Sequence, residues 1–202
     1  MMRNSISIFI VLSILLSGCM TKNIPPADFY TISPKIINSK GIVKPQEQTQ
    51  VIIKLTPIRA TRALTATDIL YTDSQYSWNS YVYSRWNDTP VKLLQTLFQL
   101  SIEDSHLFKA VVPPISVAKS DFLLESNLID LSHHIYDDGT STGVIRIRFY
   151  LIDNKTRAII ETKEFVSEVS AATKNARGAV VALNKSASNI ARDLVIWLAE
   201  IN

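Results

Sequence analysis

The 202-residue sequence contains few of the residues from which disulfides, metal centres and phosphate-binding loops are built. It has one cysteine, three histidines and five glycines. A single cysteine can neither form an intramolecular disulfide nor supply a Cys-rich zinc or iron–sulfur site. The five glycines lie far apart, so a glycine-rich phosphate-binding loop is excluded. We therefore expect no metal ion and no non-covalently bound cofactor.

The charge balance is equally uninformative about chemistry. There are 21 basic and 18 acidic side chains, which give a formal net charge of +3. Nucleic-acid-binding domains usually carry clustered Lys and Arg, so we expect no nucleic-acid partner. The sequence contains neither a Gly-x-Ser-x-Gly nor a His-Glu-x-x-His motif. The protein is therefore predicted not to be an enzyme.

The N-terminus has the pattern of an exported protein. Arg3 precedes an apolar run from Ile6 to Leu16, which is shorter than the roughly 20 residues that span a bilayer. This pattern predicts a signal peptide over residues 1–18. The run ends in Leu16-Ser17-Gly18-Cys19, which resembles a bacterial lipobox. The resemblance implies cleavage before Cys19, a diacylglycerol on its sulfur and an acyl chain on its new amino group.

The residue after the lipidated cysteine bears on location. In enterobacteria an Asp there commonly retains a lipoprotein at the inner membrane, and this chain has Met20 instead. We therefore expect a lipid anchor at the periplasmic face of the outer membrane. Residues 19–48 are predicted to be a lipidated tether with a short docking strand near 28–32. Residues 49–202 are predicted to be a single α+β periplasmic domain.

The periodicities beyond residue 50 predict strands, a helix, strands and a second helix. The first helix is expected to begin at Thr89-Pro90, with Thr89 as the cap. The second helix is expected to cover Val180 to Ile201. Short turns join the strands near residues 121–169, and such turns cannot make parallel crossovers. The predicted fold class is therefore α+β, a mostly antiparallel sheet with two amphipathic helices packed on one face. The second helix could pack within the monomer or between subunits, so a homo-oligomer is possible.

One segment is unusually aromatic. Six of the seventeen aromatic residues lie between positions 71 and 86. Tyr and Trp combine an apolar body with a polar tip, so they suit interfaces as well as sheet packing. The sequence therefore predicts a surface for a partner or for lipid. The candidate residues are Tyr76, Trp78, Tyr81, Tyr83 and Trp86.

The remaining polar motifs have simpler interpretations. His133 and His134 are adjacent on a predicted strand, so they should point to opposite faces and cannot easily share a metal ion. Asp137-Asp138 precede Gly139 in a predicted turn. Arg146 and Arg148 share one strand face, which is either a solvated surface or a site for an anionic lipid or a partner.

The aromatic segment and the helix after it resemble a known family. The residues that carry this resemblance are Ile69-Leu70-Tyr71, Tyr76, Arg85-Trp86, Pro90, Leu93, Leu94, Leu97 and Ser105 to Val111. Together with the lipobox they resemble the ABC-type transport auxiliary lipoproteins, which include the lipoprotein of the paraquat-inducible system. The resemblance implies an accessory role beside an MCE-domain protein with its ABC permease and ATPase, moving lipids between membranes. It implies no catalytic residue, a structural role for Trp86 and Pro90, and a defined function only for Cys19.

Two alternatives stay open at this point. The protein could be a stand-alone periplasmic lipid carrier or an envelope-structure lipoprotein, which the aromatic segment would also suit. It could be a periplasmic enzyme, although no nucleophile with a base in reach is visible. Neighbouring genes for a permease, an ATPase and an MCE protein would favour the accessory role.

Overall fold

The computed structural model describes residues 25–33, 50–74 and 76–201. The predicted signal peptide, Cys19 and most of the tether lie outside the described residues. Two α-helices are present in the described part, α1 at Pro90–Asp104 and α2 at Ala176–Ile201, with a 3₁₀ helix at Arg62–Thr65. The strands described are β1 (Asp28–Tyr30), β2 (Ile52–Leu55), β3 (Arg59–Ala60), β4 (Asp68–Ser74), β5 (Ser77–Trp86), β6 (Ala110–Val112), β7 (Phe122–Ile135), β8 (Ser141–Asp153) and β9 (Ile159–Ser170).

The long strand β7 organises the sheet. One edge of β7 pairs with β8 over its whole length, and β8 pairs in turn with β9. The other edge is lined successively by β2, β3 and β4, which all run parallel to β7. On the far side of these short strands, β6 pairs with β2, β5 pairs with β4, and β1 pairs with β5. β1 is therefore the outermost strand on its side of the sheet.

The prediction of a mostly antiparallel sheet is wrong. Among the described residues, five of the eight strand pairings are parallel, namely β1–β5, β2–β6, β2–β7, β3–β7 and β4–β7. The predicted order strands-helix-strands-helix is wrong as well, because the 3₁₀ helix interrupts the first group of strands. Short turns fixed only the directions within β7–β9. The chain between β2 and β7 includes α1 and is long enough for a parallel crossover. Local periodicity shows that β2 is a strand but does not show which strand it pairs with.

The two helices pack on the sheet through a row of aromatic rings. Phe98 of α1 meets Phe149 of β8 with ring centroids 5.4 Å apart, and Phe149 meets Phe165 of β9 at 5.9 Å. Phe165 meets Trp197 of α2 at 6.0 Å. All three contacts are edge-on, the geometry that the ring quadrupoles favour. The apolar stripe predicted on α2 is confirmed, since it is buried from Val180 to Trp197 and partly buried at Ile201.

Close packing of α2 on the sheet depends on Gly143 of β8. A Cβ at this position would lie 2.8 Å from both the Ala182 Cβ and the Leu183 backbone nitrogen. The Ser186 hydroxyl donates a hydrogen bond of 2.9 Å to the Gly143 carbonyl oxygen. Any side chain here would push the helix backbone away, so glycine sets the distance between helix and sheet.

The segment after β1 is fixed to α2 by one amide side chain. Asn184 Oδ1 accepts from the Ser33 backbone N–H at 2.8 Å, and Asn184 Nδ2 donates to the Thr31 carbonyl at 3.0 Å. Ile32 between them is buried in the core. These contacts place the chain that follows β1 firmly on the domain.

The start of α1 corrects a smaller prediction. Pro90 occupies the first turn as expected, but the Thr89 hydroxyl makes no capping hydrogen bond. The Asp88 carboxylate instead accepts from the Thr89 backbone N–H at 2.7 Å. This bond, followed by the nearby Lys92, lowers the pKa of Asp88. Neither α-helix in the described part of the chain has the length and apolar character needed to cross a membrane.

Candidate functional site

An irregularity in β5 divides the aromatic segment between the two faces of the sheet. Leu70 of β4 is opposite Ser80, but Asp68, only two residues earlier, is opposite Arg85. Three extra residues of β5 are therefore accommodated between these pairs as a bulge. The bulge reverses the alternation of side chains. Two residues on opposite sides of it that are an even number of positions apart therefore point to opposite faces of the sheet.

Arg85 donates hydrogen bonds to two backbone carbonyls of the bulge. Its Nη1 donates to the carbonyls of Tyr81 and Ser84 at 2.6 and 2.8 Å. Its Nε lies 3.4 Å from Asp68 Oδ1. Buried or half-buried carbonyls are costly without a partner, so the guanidinium stabilises the irregular strand. This positive charge is consequently engaged within the protein.

Tyr81 faces the interior and joins a small polar cluster with Tyr71 and His133. The Tyr81 hydroxyl lies 2.7 Å from His133 Nδ1, and the rings of Tyr71 and Tyr81 are 4.8 Å apart. Partial burial, followed by the neighbouring Tyr71, raises the pKa of Tyr81 to about 12. His133 is completely buried, and burial followed by the adjacent His134 lowers its pKa. Among the described residues, His133 Nε2 has no hydrogen-bond partner.

The state of His133 should make stability depend on pH. Burial keeps the ring neutral in the folded protein to a lower pH than in the unfolded chain, which binds a proton below about pH 6.5. The stabilising contribution is therefore complete above that pH and decreases as the pH falls below it. We expect the free energy of unfolding in urea to fall between pH 7 and pH 5 with a slope of up to about 1.4 kcal/mol per pH unit from this group.

The matched comparison uses two single substitutions. His133→Gln should flatten the slope, while His106→Gln should leave it unchanged because His106 is exposed. The carboxylates with lowered pKa values, such as Asp138 and Glu164, titrate below this pH window. Equal slopes in the two variants would contradict a neutral buried His133.

Trp86 also faces the interior, where it is one of the largest fully buried side chains. It belongs to the same core as α1, as do Ile69, Leu94, Leu97 and Phe108. Most apolar residues that carry the family resemblance therefore stabilise the hydrophobic core. Trp86 and Tyr81, both proposed from sequence as surface residues, are instead interior groups.

The other predicted aromatic residues are exposed. Tyr76 lies in the β4–β5 turn, Trp78 lies on β5 before the bulge, and Tyr83 lies within the bulge. Trp78 and Tyr136 line a shallow surface depression of about 330 Å³, together with His134. Asp73 and Asp137 also contribute to this depression, which is open to solvent.

His133 and His134 point to opposite faces of β7, as predicted from alternation. His134 Nε2 lies 2.9 Å from Asp130 Oδ2, and the Ser132 hydroxyl donates to Asp130 Oδ1 at 2.6 Å. The His134 ring is therefore held by a carboxylate on its own strand. Within the residues that the structure describes, no cluster of His, Cys, Asp and Glu could hold a metal ion.

The two arginines of β8 form ion pairs. Arg146 Nε lies 2.6 Å from Glu164 Oε1, and Arg148 Nη2 lies 2.5 Å from Glu164 Oε2. The hydrogen bonds from Arg146, then from Arg148, lower the pKa of Glu164. One carboxylate thus compensates part of the positive charge on this face, which reduces its attraction for an anionic ligand.

Asp138, the second of the two acidic residues before Gly139, has the structural role that the turn motif predicted. Asp138 Oδ1 accepts from both the backbone N–H and the hydroxyl of Thr140, at 2.8 and 2.7 Å. Gly139 has φ +85°, a conformation that favours glycine. Asp138 is thus committed to the β7–β8 turn.

Sequence reasoning missed the Tyr81–His133 contact. The two residues are 52 positions apart and meet only because β4 pairs with β7 and β5 pairs with β4. Without those pairings, His133 has only the pattern of an ordinary strand residue. Cys19, the one candidate with a defined chemical role, lies outside the described residues.

Comparison with known proteins identifies the fold but not a family. No family model matches the sequence, and no curated protein matches it. The structure is similar to that of protein XCC0632 from Xanthomonas campestris, described under the family-model DUF330, with a TM-score of 0.79 and 14% identity. That match covers 87% of this chain and 96% of the other.

Two further crystal structures share the fold at greater distance. An uncharacterized protein matches with a TM-score of 0.66 and 12% identity, covering 86% of this chain and 99% of its own. The hypothetical protein CT253 from Chlamydia trachomatis matches with a TM-score of 0.51 and 10% identity, covering 75% and 96%. At these identities the likeness establishes the fold alone.

Proposed function

We propose that the protein is a lipid-anchored periplasmic accessory subunit of an ABC/MCE-type intermembrane lipid transport system. It acts without catalysis, by docking a partner at the periplasmic face of the outer membrane. The observation that carries the anchored part is Leu16-Ser17-Gly18-Cys19, followed after eight residues by β1. Cys19 would carry a diacylglycerol and an N-acyl chain, and several chains anchor a protein stably where one does not.

The accessory role rests on the sequence resemblance and on what its residues do. The resembling segment runs from β4 through α1 to β6, and its apolar members pack into one continuous core. Core residues of this kind stabilise the fold and take no part in catalysis. The two histidines of β7 are engaged in internal contacts, since His133 is bonded to Tyr81 and His134 to Asp130. A recognition surface is the role that this arrangement supports best.

The carrier alternative receives less support. A carrier of this architecture would hold an acyl chain between sheet and helices, where the rings of Phe98, Phe149, Phe165 and Trp197 make successive contacts. Interiors packed in this way leave little room for a ligand. Bound phospholipid in the purified, non-acylated protein, detected by mass spectrometry, would revive this alternative.

The docking role is tested by affinity purification from membranes. The full-length protein, with a tag after residue 202, is extracted from its own cells, and co-purifying proteins are identified by mass spectrometry. We expect an MCE-domain protein together with its permease and ATPase. The Cys19→Ala variant controls for proteins that are recovered only because they share the membrane.

Recovery of unrelated outer-membrane proteins alone would contradict the accessory role. It would favour an envelope-structure lipoprotein instead. Recovery of the same proteins with the Cys19→Ala variant would show that they bind the domain itself, whereas proteins lost with this variant only share its membrane.

A further inference from the structure

The outer edge of the sheet presents an apolar surface that the core leaves uncovered. Phe29 of β1 is 70% exposed, and Trp78 and Tyr83 of β5 are 45% and 48% exposed. Val82, next to Tyr83 in the bulge, is 70% exposed. Scattered single apolar residues are ordinary on protein surfaces, but grouped aromatic side chains mark interaction sites.

The three aromatic side chains lie on the same face of the sheet. Thr72 of β4 is paired with His134, and Leu70 is paired with Ser80, so Trp78 lies on the His134 face. After the bulge, Arg85 is opposite Asp68, which returns Arg85 to that same face. Tyr83 lies in the bulge next to the buried Ser84, and its 48% exposure places it on the outer side as well.

Phe29 completes this surface from the neighbouring strand. It is in register with Arg85 in the parallel β1–β5 pairing, so its side chain is on the face that Arg85 and Tyr83 occupy. We call Phe29, Trp78 and Tyr83 the aromatic edge face. It lies opposite the face that α1 and α2 cover.

The length of the tether indicates what this surface meets. Eight residues separate Cys19 from Asp28, the first residue of β1. A fully extended chain of that length reaches about 30 Å. An acylated Cys19 would therefore hold β1, and the aromatic edge face with it, within about 30 Å of the bilayer surface.

The chemistry of the face suits a membrane interface better than an anionic binding site. Trp and Tyr are enriched where hydrocarbon meets lipid headgroups, because their rings are apolar and their tips are polar. Arg85, the cationic residue in register with Phe29, is engaged with Asp68 and two backbone carbonyls. Contact would therefore depend on apolar burial and not on anionic lipid.

We propose that the aromatic edge face, Phe29, Trp78 and Tyr83, rests on the lipid bilayer and orients the domain at the membrane surface. This inference rests on the proposed lipid anchor. It adds a second, non-covalent contact that fixes which side of the domain faces the lipid. The helices, on the opposite face of the sheet, would then be directed away from the bilayer.

Tryptophan fluorescence offers a specific test, because Trp78 is the exposed tryptophan of the three in the chain. Trp86 and Trp197 are each 1% exposed. The acylated protein is reconstituted into phosphatidylcholine vesicles with and without brominated acyl chains, which quench nearby tryptophans. We expect the brominated vesicles to remove up to one third of the emission, the share of one tryptophan in three.

Three variants make the result specific. Trp78→Phe should abolish the quenching, and the double substitution Phe29→Ser with Tyr83→Ser should reduce it. The control is Ile115→Ser with Val117→Ser, which removes two almost fully exposed apolar residues from the β6–β7 loop. This loop leads into the end of β7 remote from the β4–β5 turn, so its variant should be quenched as strongly as the wild type. Raising the salt concentration should change nothing.

A second arm separates this inference from the anchor itself. Mature protein with Cys19→Ala and an N-terminal hexahistidine tag is held on the same vesicles by a nickel-chelating lipid. Quenching of Trp78 in this arm supports the aromatic edge face even if Cys19 proves not to be acylated. Vesicle-bound protein with unquenched Trp78 in both arms would overturn the inference and favour a protein partner for this surface.

Discussion

Trp197→Ala is expected to destabilise the protein by about 3–5 kcal/mol. Trp197 is fully buried on α2, and its ring contacts Phe165 of the sheet at a centroid distance of 6.0 Å. Truncation would remove the last ring of the row that connects both helices to β8 and β9. Single domains are stable by about 5–15 kcal/mol, so this one change removes a large part of the total. Urea unfolding of the non-acylated protein, followed by circular dichroism, measures the loss.

Trp197→Phe is the matched control. It keeps an aromatic ring in the row but removes the indole Nε1, which is buried without a partner among the described residues. A buried donor without a partner costs about 1–3 kcal/mol, and its removal offsets part of the lost packing. We expect a net loss below about 1.5 kcal/mol. Similar losses in both variants would contradict the packing role assigned to the ring.

The parts of the fold that the sequence predicts are those whose signal is local. Alternation along β8 placed Ile145, Ile147, Phe149 and Leu151 on one face, and all four are buried. The stripe on α2 is equally local, because side chains three and four positions apart share a helix face. Gly139 and the two aspartates before it likewise predicted the β7–β8 turn from adjacent residues alone. Each pattern depends on residues that are neighbours in the chain.

The parallel pairings could not be predicted in the same way. β2, β3 and β4 line up along β7 only after the chain has passed through β5, α1 and β6. The segment from Ile52 to Ser74 behaves as one interrupted strand, broken by Pro57 and by the 3₁₀ helix. Nothing within that segment specifies the direction of a partner so distant in sequence.

The bulge in β5 explains why, of the aromatic residues predicted to form a surface, Trp78 is exposed and Trp86 is buried. Trp78 and Trp86 are eight positions apart, so regular alternation would place them on one face. The extra residues between Ser80 and Arg85 put Trp86 in the core and leave Trp78 outside. Bulges of this kind often redirect a side chain at a functional edge. Here the bulge separates the aromatic residues that stabilise the domain from those that are available to a ligand.

Replacing Cys19 should have the largest effect on where the protein is found. With the signal peptide replaced by one that is cleaved without lipidation, we expect Cys19→Ala to abolish incorporation of labelled palmitate. Nearly all of the protein should then move from the membrane fraction to the soluble periplasmic fraction. Each acyl CH₂ buried in the bilayer contributes about 0.8 kcal/mol, so the loss of all three chains leaves only the weak contact of the aromatic edge face.

The lipobox supplies its own control for this experiment. Ser17→Ala keeps a small residue in the sequence Leu16-Ser17-Gly18-Cys19 and should leave both acylation and membrane association intact. On a density gradient, the wild type and Ser17→Ala should sediment with the outer membrane, because Met20 is not the Asp that retains lipoproteins at the inner membrane. If Cys19→Ala stayed with the membranes as fully as the wild type, the anchor would not be lipid on Cys19, and the 30 Å reach that positions β1 near the bilayer would lose its basis.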